Sequence, residues 1–255
     1  MGARAEKHER GAGASEGVAL DEGYARESTR PLHVLVFLLP WLVVAEIGSI
    51  LMSGSDHSQE ILAHRLLHDF FQVFGMSSLH LPAITMVVVL VIQHVLSKHG
   101  WRVRPGVLAG MALESLWWVL PLVVLAQVFS SVMGGDQALQ EGVEAVRELP
   151  WFSRAMIALQ AGLYEELLFR LILMTALHLI LVDIAGLAKV PANIAVVVVA
   201  ALAFALYHRE ADGFVFYLAS GVYFGTLFLW RGFGIVVVVH ALYDLIALLG
   251  PGSGG

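Results

Sequence analysis

The sequence predicts an all-α, polytopic membrane helix bundle of about seven transmembrane helices, with one further amphipathic helix at the membrane interface. Three observations carry this. Of 255 residues, 58% are hydrophobic and only 14% are charged, against about 25% charged in an ordinary soluble domain. That leaves too little polar surface to cover a soluble particle. The mean hydropathy of +0.77 excludes a disordered chain. The apolar residues also fall into runs long enough to cross a bilayer. Cysteine is absent, which excludes a disulfide scaffold. The net charge of −6 comes without a basic stripe, so nucleic acid is not an expected partner. The chain reads as a multi-pass integral membrane protein with lipid as its surroundings.

Residues 1–30 are polar, rich in Gly and Ala, and carry charges of both signs (Arg4, Lys7, Glu9, Asp21, Glu22, Arg30). They read as a disordered tail and not as a secretory signal, because no apolar core follows a short basic start. Residues 31–250 read as one transmembrane domain. Its spans are 32–52, 81–97, 107–132, 153–182, 191–208, 214–230 and 233–249, which reach or nearly reach the roughly 20 residues that crossing requires. The fourth is long enough to be bent or partly interfacial. Between the first two, residues 58–74 place Ile61, Leu62, Leu66, Leu67, Phe70, Phe71 and Phe74 at helical spacing among polar residues. That pattern suits a helix lying in the interface or covering the bundle.

Lys and Arg bias sets orientation. With the N-terminus inside, ten lie on inside segments: five in the tail, then Lys98, Arg102, Arg104, Lys189 and Arg231. Four lie outside (Arg65, Arg147, Arg154, Arg209), and Arg170 falls within a span. A cytoplasmic N-terminus follows.

An ionisable residue inside a span is costly and therefore informative. The fourth span reads Gly162-Leu-Tyr-Glu-Glu-Leu-Leu-Phe-Arg170. Glu166 and Arg170 are four apart and share a helix face, so they can pair. Glu165 points about 100° away from Glu166, leaving one carboxylate free for another task. The fifth span ends Phe204-Ala-Leu-Tyr-His208, with Phe204 and His208 on one face. The seventh reads His240-Ala-Leu-Tyr-Asp244, and a carboxylate one turn from an imidazole can orient it and raise its basicity. Taken singly, each has a structural explanation: a buried ion pair, an interfacial histidine, a packing hydrogen bond. Taken together, three spans supply two carboxylates free to act and two imidazoles, a set suited to water activation with oxyanion stabilisation or to metal ligation. Glu46, His94, Glu114, Gln127, Gln160, His178 and Asp183 also lie in or near spans. Glu114, beside Trp117 and Trp118, suits an interhelical hydrogen bond, a place lining a substrate cavity or a partner arginine from another helix.

The ordered triple Glu165-Glu166-x-x-x-Arg170, Phe204-x-x-x-His208 and His240-x-x-x-Asp244, with Gly221, Gly225, Gly232 and Gly234 before the last motif, resembles the CAAX prenyl protease and bacteriocin-processing (CPBP, or Abi) family of intramembrane proteases. The resemblance covers roughly 150–250; residues 1–150 match only as further spans. It implies an endopeptidase acting within or beside the bilayer on a protein or peptide substrate, membrane-anchored substrates included. By the same resemblance Glu165 activates the water with His208 assisting, and His240 and Asp244 stabilise the oxyanion or orient the carbonyl. Arg170 holds Glu166, and Phe204 supports the site. Both a metal-free glutamate mechanism and a zinc enzyme are compatible with the family. The sequence lacks the H-E-x-x-H helix of a specific zinc site, and a zinc here would draw on Glu165, His208 and His240.

Leu171 stands where the family often has Gly, and Asp244 where many members have Asn. An aspartate donates a hydrogen bond only when protonated, so Asp244 either has a raised pKa or serves to orient His240. A serine protease reading has Ser220 and His240 but leaves Glu165, Glu166 and His208 unexplained. An aspartyl protease reading lacks a partner for Asp244. The non-enzyme alternatives are a membrane scaffold or immunity-type binding protein that retains the fold, and a transporter, for which no inverted repeat of broken helices is seen. A site toward the outer face also sits awkwardly with a cytosolic prenylated substrate.

Overall fold

The computed structural model describes residues 23–52, 80–132, 146–208 and 213–250. Within these the chain forms helices and connecting turns, with no strand. The helices are α1 (Pro31–Met52), α2 (Leu81–Ser97), α3 (Pro105–Val132), α4 (Trp151–Glu166), α5 (Lys189–Tyr207), α6 (Phe214–Arg231) and α7 (Phe233–Leu249). Beyond Glu166, α4 runs on without a break. It widens to π geometry over Leu167–Met174, returns to an α turn over Thr175–His178, and widens again over Leu179–Ile184. The amphipathic stretch at 58–74 lies outside the described residues.

α1, α3, α5, α6 and the continuous helix Trp151–Ile184 are long and apolar enough to cross a membrane. α2 and α7 have 17 residues each, roughly 25 Å at the α-helical rise and at the short end of the spanning range. The protein is an all-α integral membrane bundle. Leu96, Leu113, Trp117 and Val190 are among the large apolar side chains on its outside, where hydrocarbon takes the place of a polar solvent.

Two helices lie at the centre. α4 is buried all round from Ala158 to Glu166, and α7 from Phe233 to Ala241. A helix apolar around its whole circumference has no solvent face and goes to the middle. The two meet where Gly162 lies against Ala241. A Cβ on Gly162 would come within 2.7 Å of the Ala241 backbone nitrogen, so the missing side chain sets how closely they approach. On the other side of the bundle α6 packs on α5, with Gly221 against the Ala201 Cα.

Three prolines mark helix starts. Pro82 sits in the first turn of α2, Pro105 opens α3, and Pro150 stands directly before α4, positions where the missing N–H leaves no bond unmade. α6 and α7 are joined by Gly232 alone, at φ 81°, a left-handed conformation that favours glycine. This one-residue reversal brings the α7 motif back beside α4.

Residues 23–28, assigned from sequence to the polar tail, form a short helix packed on the bundle. The Tyr24 hydroxyl donates to Glu114 Oε2 at 2.7 Å, and Arg231 bonds both Glu114 oxygens and Ser28. Glu27 pairs with Arg104 at 2.8 Å. Burial, and then the Glu114 carboxylate, push the Tyr24 phenol above its ordinary range. Arg231, placed from sequence among the charges of an inside segment, is therefore a buried partner of Glu114, with the Trp118 indole donating to the same carboxylate at 3.1 Å. The tail reading fails for these residues because Glu114 and Arg231 give Tyr24 and Ser28 polar partners that composition cannot reveal.

Candidate active site

The three motifs converge on one cavity of about 320 Å³, lined by Glu165, Phe204, His208, Ser220, His240 and Asp244 among others. α4 brings Glu165 and Glu166, the end of α5 brings His208, and α7 brings His240 and Asp244. Glu166 and Arg170 are fully buried and pair at 2.8 Å. A second guanidinium nitrogen donates to the Gly221 carbonyl at 3.4 Å. The same guanidinium lies over the Phe204 and Phe224 rings, 4.7 and 5.2 Å from their centroids. Arg170 thus ties α4 to α5 and α6.

Glu166 does a second job that its spacing does not disclose. His240 Nδ1 donates to Glu166 Oε1 at 2.7 Å. This fixes the ring, and Nε2 faces Glu165 Oε2 at 3.9 Å and Asp244 Oδ2 at 3.5 Å. The carboxylate that orients His240 most firmly is therefore Glu166 from α4, and Asp244 stands at the opposite nitrogen.

Glu165 points away from Glu166 and into the cavity, 5% exposed. Its Oε1 accepts from the Tyr207 hydroxyl at 3.3 Å. Its Oε2 has no hydrogen-bond partner among the described residues and lies 3.8 Å from His208 Nε2. His208 Nδ1 donates to the Phe204 carbonyl at 2.9 Å. A carbonyl only accepts, so Nδ1 carries the proton and the neutral ring offers its Nε2 lone pair toward Glu165. Tyr217 stacks on the His208 ring at 3.9 Å and 14°, and Phe224 on the His240 ring at 4.6 Å and 21°.

Residues 147–246 match the family model described as type II CAAX prenyl endopeptidase Rce1-like. Over this segment the chain is similar to the Rce1-like family. The match begins just ahead of α4 and ends within α7, so it takes in all three motifs. The family so described is one of endopeptidases, which act on protein or peptide substrates. No curated protein matches the chain, and no solved structure does.

Within the matched segment, Glu165, His208 and His240 are the residues a zinc ion would need. They approach one another, but no group of three or more His, Asp or Glu side chains among the described residues has the arrangement of a metal centre. The set does not form a preassembled zinc site among the described residues. Ser220 and His240 line the same cavity, yet the Ser220 hydroxyl is bonded to nothing among the described residues, so the serine–histidine pair of a serine protease is not assembled. Glu114 pairs with Arg231 and does not line the cavity.

Sequence reasoning missed Tyr207, Tyr217 and Phe224. One signal was present. Each motif carries Leu-Tyr directly before its acid or imidazole: Leu163-Tyr164-Glu165, Leu206-Tyr207-His208, Leu242-Tyr243-Asp244. The three tyrosines diverge in use. Tyr164 donates to Glu46 of α1, away from the cavity; Tyr207 donates to Glu165; Tyr243 lines the cavity wall. Tyr217 and Phe224 lie outside every motif.

Proposed function

We propose that the protein is an intramembrane endopeptidase in which Glu165 activates the hydrolytic water. The observation that carries this reading is the free Glu165 Oε2, set 3.8 and 3.9 Å from two imidazole Nε2 atoms inside a cavity. Separations of that size suit a bridging water better than direct contact. Glu165 Oε2 takes a proton from the water while His208 Nε2 accepts the other O–H and aims the oxygen lone pair. The oxygen attacks the scissile carbonyl carbon, giving a tetrahedral oxyanion. Collapse breaks the C–N bond, and protonated Glu165 returns its proton to the leaving amine. His240, held by Glu166 and facing the Glu165 and Asp244 carboxylates, acts as the imidazolium and orients the carbonyl by donating from Nε2–H, and Asp244 limits the rotation of that ring. Arg170 neutralises Glu166, so the two adjacent carboxylates do not both bear uncompensated charge.

We place the N-terminus on the cytoplasmic side by the bias of Lys and Arg, which stands after buried Arg231 is removed from the count. The catalytic cavity lies toward the ends of α5 and α7 and the start of α6, opposite the end where Tyr24 meets Arg231.

The test is turnover in detergent of an internally quenched, farnesylated CAAX peptide by wild type, Glu165→Ala and His208→Ala, with bound metal quantified on the same samples. Membrane proteomes of cells with and without the protein are compared alongside. Loss of cleavage in both variants, with activity independent of metal, supports the glutamate mechanism. Loss in both with stoichiometric zinc replaces it with a metal-dependent one. Cleavage of neither the peptide nor any membrane protein by wild type, or variants that behave as wild type, leaves a non-catalytic scaffold as the better reading.

A further inference from the structure

The wall of the cavity contains a hydroxyl with no structural use. Ser220 is 4% exposed and lines the cavity, and its Oγ has no hydrogen-bond partner among the described residues. A helical serine usually returns its hydroxyl to a carbonyl of the preceding turn. Here Ser97, Ser115, Ser131 and Thr226 do so, at 2.7, 2.8, 2.9 and 2.8 Å. Ser220 does not, and an unmade bond at a buried hydroxyl costs stability. The turn that carries it is pinned on both sides. The next residue, Gly221, accepts a bond from Arg170 through its carbonyl, and a Cβ there would come within 2.8 Å of the Ala201 Cα.

The chemistry of the cavity has need of such a group. Negative charge develops on the substrate carbonyl oxygen in a wall that already holds Glu165 and Asp244, with Glu166 behind them. Arg170 is engaged with Glu166, His208 Nδ1 with the Phe204 carbonyl, His240 Nδ1 with Glu166, and the Tyr207 hydroxyl with Glu165, which leaves His240 Nε2, itself shared with Glu165 and Asp244, to orient the carbonyl. Asp244 as a carboxylate accepts and cannot donate. A neutral, fixed hydroxyl that donates only when charge appears is the arrangement that lowers a barrier without holding the ground state.

We infer that Ser220 Oγ–H is an oxyanion donor: it hydrogen-bonds the carbonyl oxygen of the scissile peptide bond as water adds, and forms no covalent bond itself. This rests on the endopeptidase reading of the site.

The experiment is steady-state turnover of the quenched farnesyl-peptide, and of any membrane protein found in the proteome comparison, by Ser220→Ala and Ser220→Thr, with thermal melting of each variant in the same detergent. Loss of one oxyanion donor lowers kcat on the order of 10²-fold, with KM within about two-fold since the bond forms only in the transition state. Ser220→Thr, which keeps the hydroxyl, recovers most of the rate. Ser220→Ala melts at or above wild type, because an unpartnered hydroxyl has been removed. A packing or structural hydrogen-bonding role gives the opposite melting result, and that overturns the inference. So does an unchanged kcat, or a loss that falls mainly on KM. Labelling of Ser220 by a fluorophosphonate makes it a nucleophile and overturns it too. If Glu165→Ala abolishes turnover while Ser220→Ala leaves it intact, the donor role alone falls. If wild type cleaves nothing, it falls together with the proposed function.

Discussion

Glu166 and His240 are joined across the two central helices by a 2.7 Å hydrogen bond from the imidazole Nδ1, to the same carboxylate oxygen that pairs with Arg170 at 2.8 Å. One fully buried acid therefore balances the only guanidinium in the motif and sets the orientation of a site imidazole. Structure and chemistry share a single atom here, and separating them is the most informative perturbation.

Glu166→Gln removes the charge that compensates Arg170 while keeping the shape. A buried charge left without its partner costs about 3 kcal/mol or more. The expected outcome is a stability loss of that order in denaturant titration, together with loss of cleavage. Adding Arg170→Met removes the orphaned charge and returns much of the stability. Activity stays low in the double variant because His240 still lacks its anionic acceptor. Stability unchanged in Glu166→Gln would count against the ion pair as the organising contact.

The closeness of α4 and α7 depends on Gly162. With the Ala241 nitrogen 2.7 Å from where a Cβ would stand, Gly162→Val forces the helices apart, at about 1–3 kcal/mol for an overpacked core. Since that contact lies one turn from Glu165 and one residue from His240, the same shift lengthens the bond from His240 to Glu166. Turnover should fall more than melting does, because a preorganised site does not tolerate ångström-scale shifts and about 1 Å of misplacement costs on the order of 10²-fold. A variant that melts lower but retains full kcat contradicts this coupling.

The Glu114–Arg231 pair stands at the other end of the bundle and ties residues 23–28 to α3 and α6. Glu114→Ala leaves Arg231 buried and unpaired, again at roughly 3 kcal/mol. Tyr24 and the Trp118 indole lose their acceptor with it. Below the melting point kcat should remain within about two-fold of wild type, since none of these groups lines the cavity. Limited proteolysis should cut near residues 23–30 earlier than in wild type. Undiminished protection there would show that the short helix is held by other contacts.

Orientation is readily tested because the chain contains no cysteine. Gly100→Cys, between α2 and α3, and Trp151→Cys, at the start of α4, sit at opposite ends of the bundle, and both positions are exposed. With a cytoplasmic N-terminus, a membrane-impermeant maleimide applied to intact cells labels Trp151→Cys and spares Gly100→Cys. The catalytic cavity then faces away from the cytosol, and the physiological substrate is a membrane-anchored protein or peptide presented on that side. The reverse labelling reverses the orientation and opens the site to cytosolic prenylated proteins.

The sequence by itself determined the membrane class, the helical spans and the identity of the three motifs. Apolar run length is a property of the chain alone, so helices such as Leu81–Ser97 and Phe233–Leu249 match their predicted spans of 81–97 and 233–249. The Glu166–Arg170 pair was equally legible, because four residues along one helix fix both partners on one face. What only the tertiary structure decided was every relationship between helices. That Glu166 rather than Asp244 holds His240 most firmly, that Tyr207 reaches Glu165, and that Tyr217 and Phe224 stack on the two imidazoles depends on how each helix is rotated about its axis and how closely Gly162 and Gly221 let neighbours approach. The same holds for Arg231, which looked like a topological charge at a span end until α3 supplied Glu114. Spacing within a helix reads one face; which other face it meets is settled by packing.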